Sequence, residues 1–248
     1  MRHGRTKESR LSKTGKGRNR LMAENERAGK LVVISGFSGV GKGTVVGRLL
    51  NDYDHYTLSV SMTTRKPREG EAHGVNYYFV SNEEFEEMIR NGGLLEYAGY
   101  ADHYYGTPRS FVEENMANGK DVILEIEVQG AMQIKEAYPD AVLIFITTPS
   151  ASVMAKRLIG RKTETEEQID NRFKRAVEEA EHIKRYDYIV INDGLDDCVS
   201  EVNRIVESGE GGVRYDPKFK NRFLQDLLEI IAERTEAARA RLHAQKDQ

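Results

Sequence analysis

The chain has 248 residues, 31% of them charged and 39% hydrophobic, with a formal net charge of −3 and a single cysteine, Cys198. That length holds one large domain with insertions or two small ones, and the longest apolar runs are strand-sized, which excludes a membrane-spanning helix. One cysteine excludes internal disulfides and a cysteine-built metal cage, so the expectation is a soluble, cytoplasmic protein in a reducing compartment.

The charge is uneven. Residues 1–30 carry ten Lys or Arg against three Glu, which leaves 27 basic against 37 acidic residues in the remainder. Residues 1–28 are expected to form a disordered basic tail, because a stretch rich in Arg, Lys, Gly and Ser buries too little surface to offset its ordering entropy. The tail reads either as an anchor for nucleic acid or another acidic surface, or, the favoured reading, as a solvated extension. Met22 offers an alternative start, and a transit peptide would need an amphipathic face that the tail lacks. Nothing in the sequence sets an oligomeric state.

The apolar run Leu31-Val32-Val33-Ile34 leads into Gly36-Phe37-Ser38-Gly39-Val40-Gly41-Lys42-Gly43-Thr44, and a helix is expected from about Val45. Strand, glycine-rich loop, lysine and helix are the setting of a phosphate-binding loop. Its N–H groups and the helix N-terminus face an anion, and the lysine reaches the outer phosphates. A nucleoside triphosphate is expected here. Gly43 stands where the strict motif has Ser or Thr, so the metal of such sites must be met by Thr44 or held by phosphates and water.

Tyr56 to Ser61 alternates like a strand and runs into a Pro- and Gly-rich insertion with short strands, in which Arg65 and Arg68 flank Pro67 and can fork onto one anion. Ser81 and Glu84 form a capping-box pattern before a helix whose buried face is Phe85, Met88 and Ile89. Leu94 to Ala98 is a strand, and Thr107-Pro108 reads as the cap and first position of a helix to about Gly119. Strands are expected at Asp121–Val128, Ala141–Ile146 and Tyr188–Ile191, with helices from about Ser150 to Ile159 and from Glu166 to Arg185. Alternating apolar strands and helices mean a parallel α/β sheet, whose ligands sit beyond the C-terminal strand ends. From Pro217, the spacing of Phe219, Phe223, Leu227, Leu228, Ile230 and Ile231 predicts an amphipathic helix whose first half packs on the core, the favoured reading, or meets a partner or second copy.

Several long strings then carry a family likeness. Ser59-Val-Ser-Met-Thr-Thr-Arg-Lys-Pro-Arg-Glu-Gly-Glu, with Gly74-x-x-Tyr77-x-Phe79, resembles the nucleoside-monophosphate segment of guanylate kinases. So do Leu95-Glu-Tyr-Ala98 with Tyr105-Gly-Thr107, Leu124-Glu-Ile-Glu-Val-Gln-Gly130, and Arg161-Lys-Thr-Glu-Thr-Glu-Glu167 with Arg172. The resemblance covers residues 29–208. It implies a P-loop parallel sheet flanked by helices (core 29–58, 109–150 and 173–208), an inserted small β-rich GMP-binding part (59–108) and a helical lid (151–172). Residues 209–248 would be a C-terminal helical extension.

The activity so implied is Mg²⁺-dependent transfer of the terminal phosphate of ATP to GMP. By match of motif, residues 36–44 with Arg157 and Asn192 would hold ATP, the latter two near the adenine. The GMP phosphate would be held by Arg65, Arg68, Tyr77 and Tyr105, in a loop ordered by Glu71. Guanine would be read by Ser61, Glu96 and Thr107, and the acidic pair Glu125 and Glu127 would border GMP. Lys42, Arg65, Arg161 and Arg172 would act on the transferring phosphate. No direct metal ligand is implied; Thr44 or Glu127 would act through water.

A carboxylate at Glu96 suits guanine, because it accepts from the ring N–H and the exocyclic amine together, whereas adenine turns a ring acceptor toward it. Phe37 stands where the family commonly has Pro, and Glu127 where it commonly has Asp. A non-enzymatic guanylate-kinase-like binding module would have little need of Lys42, Arg161 and Arg172, and a sugar-phosphate kinase would have no use for the guanine readers.

Overall fold

A computed structural model describes residues 28–100, 102–160, 165–212 and 215–246. Most of the basic tail, and Arg161 of the expected lid, lie outside the described residues. Strand β1 (Leu31–Gly36) is buried at all six positions. It is the middle of a five-stranded sheet with β2 (Tyr56–Leu58), β7 (Asp121–Glu125), β8 (Val142–Thr147) and β9 (Tyr188–Ile191), in the order β2-β7-β1-β8-β9. Every neighbouring pair is parallel, as apolar strands covered by helices on both faces require. The strand order reverses beside β1, so the crevice of the sheet opens at Gly36.

Two glycines make the loop there. A Cβ on Gly36 would lie 2.1 Å from the carbonyl oxygen of Ile146, and Gly41 ends the loop at φ 92° as the N-cap of α1 (Lys42–Asp52). No side chain caps α1, so its first N–H groups stay directed at whatever sits in the loop.

Between β2 and α3 (Arg109–Ala117), the chain builds a second sheet from β3 (Met62–Thr63), β4 (Tyr78–Phe79), β5 (Leu94–Tyr100) and β6 (His103–Pro108), in the order β4-β3-β6-β5. Helix α2 (Asn82–Arg90) closes it, with Phe85 fully buried. Its capping box forms: Ser81 Oγ accepts from the N–H of Glu84 at 3.1 Å, and the Glu84 carboxylate accepts from the N–H of Ser81 at 2.7 Å.

Three local expectations give way to tertiary pairing. The strand expected over Tyr56–Ser61 leaves the main sheet at Leu58 and re-pairs at Met62 with the second sheet. Thr107 is not a helix cap but a buried residue of β6, and Pro108 takes the cap position. The strand from Asp121 stops at Glu125, because Glu127 already serves as N-cap of α4 (Val128–Ala137).

Helix α5 (Ala151–Gly160) buries Met154, Ala155 and Leu158 in the core. Helix α6 (Glu166–Ala180) starts with Thr165 as cap, boxed with Gln168, and ends earlier than expected, before a 3-10 turn at Ile183–Arg185. After α7 (Leu195–Ser208), α8 (Pro217–Lys246) lies along α6 and α5. Lys220 of α8 pairs with Glu181 at 2.6 Å, and Arg234 reaches Asp170 and Glu166 at 2.6 Å each. Between them Phe223 stacks on Phe37 of the glycine-rich loop, with ring centroids 4.8 Å apart and planes 9° apart, while Phe37 meets Phe145 edge-on. The phenylalanine that replaces the usual proline is therefore a core residue of the loop's rear face.

Truncating Phe223 to alanine should lower the unfolding free energy by about 3–5 kcal/mol, the range for a buried phenylalanine that leaves a cavity. Chemical denaturation measures this; a loss below about 1 kcal/mol would mean that α8 is not part of the cooperative core.

Candidate active site

A cleft of about 730 Å³ runs from the glycine-rich loop to the second sheet. At one end the loop contributes Ser38, Gly39, Gly41, Lys42, Gly43 and Thr44. The Lys42 ammonium is folded back on its own loop, donating to the carbonyls of Gly36 at 2.6 Å and Phe37 at 3.3 Å. Val40 points inward and is fully buried. Its carbonyl accepts from the Asn192 amide at 2.7 Å, and the Asn192 carbonyl in turn accepts from Arg157 at 2.9 Å. Arg157 and Asn192, expected beside adenine, thus brace the loop from behind and do not line this cleft.

At the other end, Arg65, Arg68, Tyr77 and Tyr105 line the wall. Glu71 is not in the cleft. Its carboxylate accepts two bonds from Arg65 at 2.9 Å each and one from the N–H of Arg68 at 2.7 Å. These donors hold it well below the usual carboxylate range, at about 2. Arg65 also lies over the Tyr77 ring at 5.4 Å, and its Nε is buried with no acceptor among the described residues. Glu71 thus engages both terminal nitrogens of the guanidinium and fixes its plane.

Glu96 reaches the cleft from β5, 5% exposed. Thr107 Oγ1 donates to its Oε1 at 2.6 Å, and a Cβ on Gly130 would lie 2.4 Å from its Oε2. Burial pushes this carboxyl up to about 7, with the Thr107 bond opposing. Ser61 is half-buried and does not line the cleft, whereas Ser59 does, with a buried hydroxyl that has no partner among the described residues.

Between the two ends lie Glu125 and Glu127, beside Lys42, and a row from α6: Arg172, Arg175 and Glu179. Arg172 donates to Ser38 Oγ, which ties α6 to the loop. Burial, and then the charge of Glu127, push the Glu179 carboxyl well above the ordinary range, although Lys42 and Arg175 oppose this. Arg175 and Glu179 escape a reading based on strings. Positions 172, 175 and 179 are three and four apart, one face of a helix, and that periodicity was the available signal.

A Cβ on Gly43 would stand 3.7 Å from the Glu125 carboxylate, so a hydroxyl there would face Glu125. Among the described residues no group of three or more acidic, His or Cys side chains could hold a metal alone. The donor set fits a cation that arrives already bound to polyphosphate, with Thr44 and Glu127 in the same cleft.

Fold and cleft together define a P-loop nucleotide kinase, with a glycine-rich loop facing a second, arginine-lined wall. The guanylate kinase family model matches residues 28–209. The chain is 51% identical over 181 residues to the guanylate kinase of Latilactobacillus sakei, covering 73% of this chain and 89% of that one. It is 48% identical over 205 residues to that of Clostridioides difficile, covering 83% and 98%. The crystal structure of guanylate kinase from Anaplasma phagocytophilum superposes with a TM-score of 0.61 at 31% identity, over 75% of this chain and 88% of that one. The chain belongs to the guanylate kinase family, the enzymes that phosphorylate GMP to GDP with ATP.

The raised carboxyl of Glu96 has a measurable consequence. Folded Glu96 holds its proton up to about pH 7 and the unfolded chain only to about 4.5, so the group costs stability progressively as pH rises between those values. The cost reaches about 3 kcal/mol above pH 7. Glu96→Gln should therefore match the parent near pH 4.5 and exceed its unfolding free energy by about that amount at pH 8. A gap that is independent of pH would mean that the Glu96 carboxyl ionises normally.

Proposed function

We propose that the cleft aligns ATP and GMP head to head, with ATP on the glycine-rich loop and GMP between Arg65 and Glu96. The observation that carries this reading is a single cavity lined at one end by Lys42 and at the other by Arg65, Arg68 and Glu96. Lys42 exchanges its loop carbonyls for the outer phosphates of ATP. Arg65 and Arg68, with the hydroxyls of Tyr77 and Tyr105, take the GMP phosphate, and Glu71 sets the angle of Arg65. Ionised Glu96 accepts from the ring N–H and exocyclic amine of guanine, while Thr107 holds Glu96 in place through the hydroxyl it donates to Oε1. In AMP the carboxylate would be left facing an acceptor, the strong form of discrimination.

Phosphoryl transfer then requires alignment and charge neutralisation more than covalent help. Lys42 and Arg65 act from the two sides. Arg172 and Arg175 stand between the two anion sites on α6, and Arg161 would join them. Magnesium bound with ATP would supply further charge neutralisation, and Thr44 or Glu127 are the residues that would hold it, through water. We place the protein in the cytoplasm, a reading supported by one buried Cys198 and by described helices none of which is long and apolar enough to cross a membrane.

Coupled ADP release tests the reading. Turnover with GMP should exceed that with AMP by roughly three orders of magnitude or more. Glu96→Gln should cut kcat/KM for GMP by about a hundredfold while the KM for ATP stays near the parent value. Equal losses for both nucleotides would remove Glu96 from the guanine site.

Arg172→Ala should lower kcat by about a hundredfold with little change in the KM for GMP. A pure KM effect in steady-state kinetics would make Arg172 a substrate-binding residue only.

A further inference from the structure

Strand β5 is the edge of the second sheet, a position whose outer N–H and C=O groups need cover. At Tyr97 one side chain covers both. Gln133 of α4 donates through Nε2 to the Tyr97 carbonyl at 2.8 Å, and its Oε1 accepts from the Tyr97 N–H at 3.2 Å. This clamp sits at an irregularity, because the pairing of β5 with β6 shifts register between Leu94 and Tyr97. Leu95 and Glu96, the two residues inside the shift, are 6% and 5% exposed. A regular strand would send neighbours to opposite faces; a bulge re-aims one of them. The bulge is what turns Glu96 inward.

Gly130 lies three residues before Gln133, on the same face of α4. A Cβ at position 130 would stand 2.4 Å from Oε2 and 2.9 Å from Cδ of Glu96. Glu96 is thus wedged between the Thr107 hydroxyl and a helix backbone stripped of its side chain. Glycine weakens a helix relative to alanine; here the bare backbone gives the carboxylate its place.

We infer that this face of α4 positions the guanine reader, Gly130 setting where the Glu96 carboxylate stands in the cleft and Gln133 holding the bulge that aims it. The inference rests on the reading of Glu96 as the guanine acceptor. Both are positioning residues, since they act through Glu96. Their effect falls on the contact that needs both carboxylate oxygens, so it shows as selection for the exocyclic amine of guanine. Inosine monophosphate keeps the ring N–H and carbonyl but lacks that amine, and is the probe.

The experiment measures kcat/KM for GMP and for inosine monophosphate, with ATP, in the full chain and in Gly130→Ala, Gln133→Ala, Glu96→Gln and the double variant Gly130→Ala/Glu96→Asp. Gly130→Ala should lose about tenfold or more for GMP and several-fold in the GMP-to-inosine-monophosphate ratio, with the KM for ATP within about twofold. Gln133→Ala should move the ratio the same way by about threefold. Adding Glu96→Asp to Gly130→Ala should restore part of the ratio, because the shorter carboxylate vacates the space that alanine takes. A merely structural role would lower melting temperature and leave the ratio alone. A folded Gly130→Ala with the parent's ratio overturns the inference. If that variant fails to fold, an unchanged ratio in Gln133→Ala overturns it instead. Glu96→Gln separates the levels. If it spares GMP use, the guanine reading falls and takes the inference with it; if it loses GMP use while both α4 variants keep the parent's ratio, only the inference falls.

Discussion

Two polyanions must meet with their phosphates in bonding reach, and the repulsion between them is the constraint on which the rest of this structure depends. Lys42, Arg65, Arg68, Arg172 and Arg175 are all brought to one cavity. Five cations in one cleft repel one another as surely as the substrates do. Acidic residues in and beside the cleft answer that problem. Glu71 holds Arg65 from outside, Glu125 and Glu127 flank Lys42, and Glu179 sits one turn from Arg175. The partnerships differ in kind. Glu71 is strongly ionised and directional, so it fixes a guanidinium, whereas Glu179 is pushed toward the neutral form and adds little charge to the row.

Helix α6 turns this electrostatic need into architecture. Its front stripe faces the cleft with Arg172, Arg175 and Glu179, and its back is held along its length by α8 through Arg234, Phe173 and Lys220. The glycine-rich loop is gripped on the same principle. Asn192 holds Val40 from one side and Phe223 supports Phe37 from another. A loop built of glycines for close approach to phosphate has little stiffness of its own, so the stiffness comes from residues far along the chain.

How much of this was legible in the sequence depends on the distance over which each signal acts. The loop from Gly36 to Thr44 and the capping box at Ser81 and Glu84 were readable because their chemistry lies within a few residues. The parallel sheet was readable because both-face burial writes continuous apolar runs such as Val142–Ile146. Thr107-Pro108 misled for the opposite reason: as a dipeptide it is a good helix start, and only pairing with β3 and β5 together with the bond to Glu96 makes it strand. The site residues came from strings of motif, which name Arg172 and pass over Arg175 three residues on. The spacing marks Phe223 as apolar and a string includes Gly130, but neither signal names the partner in another element that explains each residue.

The stack of Phe223 on Phe37 also bears on how the protein is made. The two rings are 186 positions apart, so Phe37 is made well before Phe223. At ribosomal rates of about 5–20 residues per second, the nucleotide loop waits roughly 10–40 s for the ring that completes its rear face. A nascent chain therefore carries its phosphate loop with one buried side still open to water. The gap closes only when α8 leaves the ribosome.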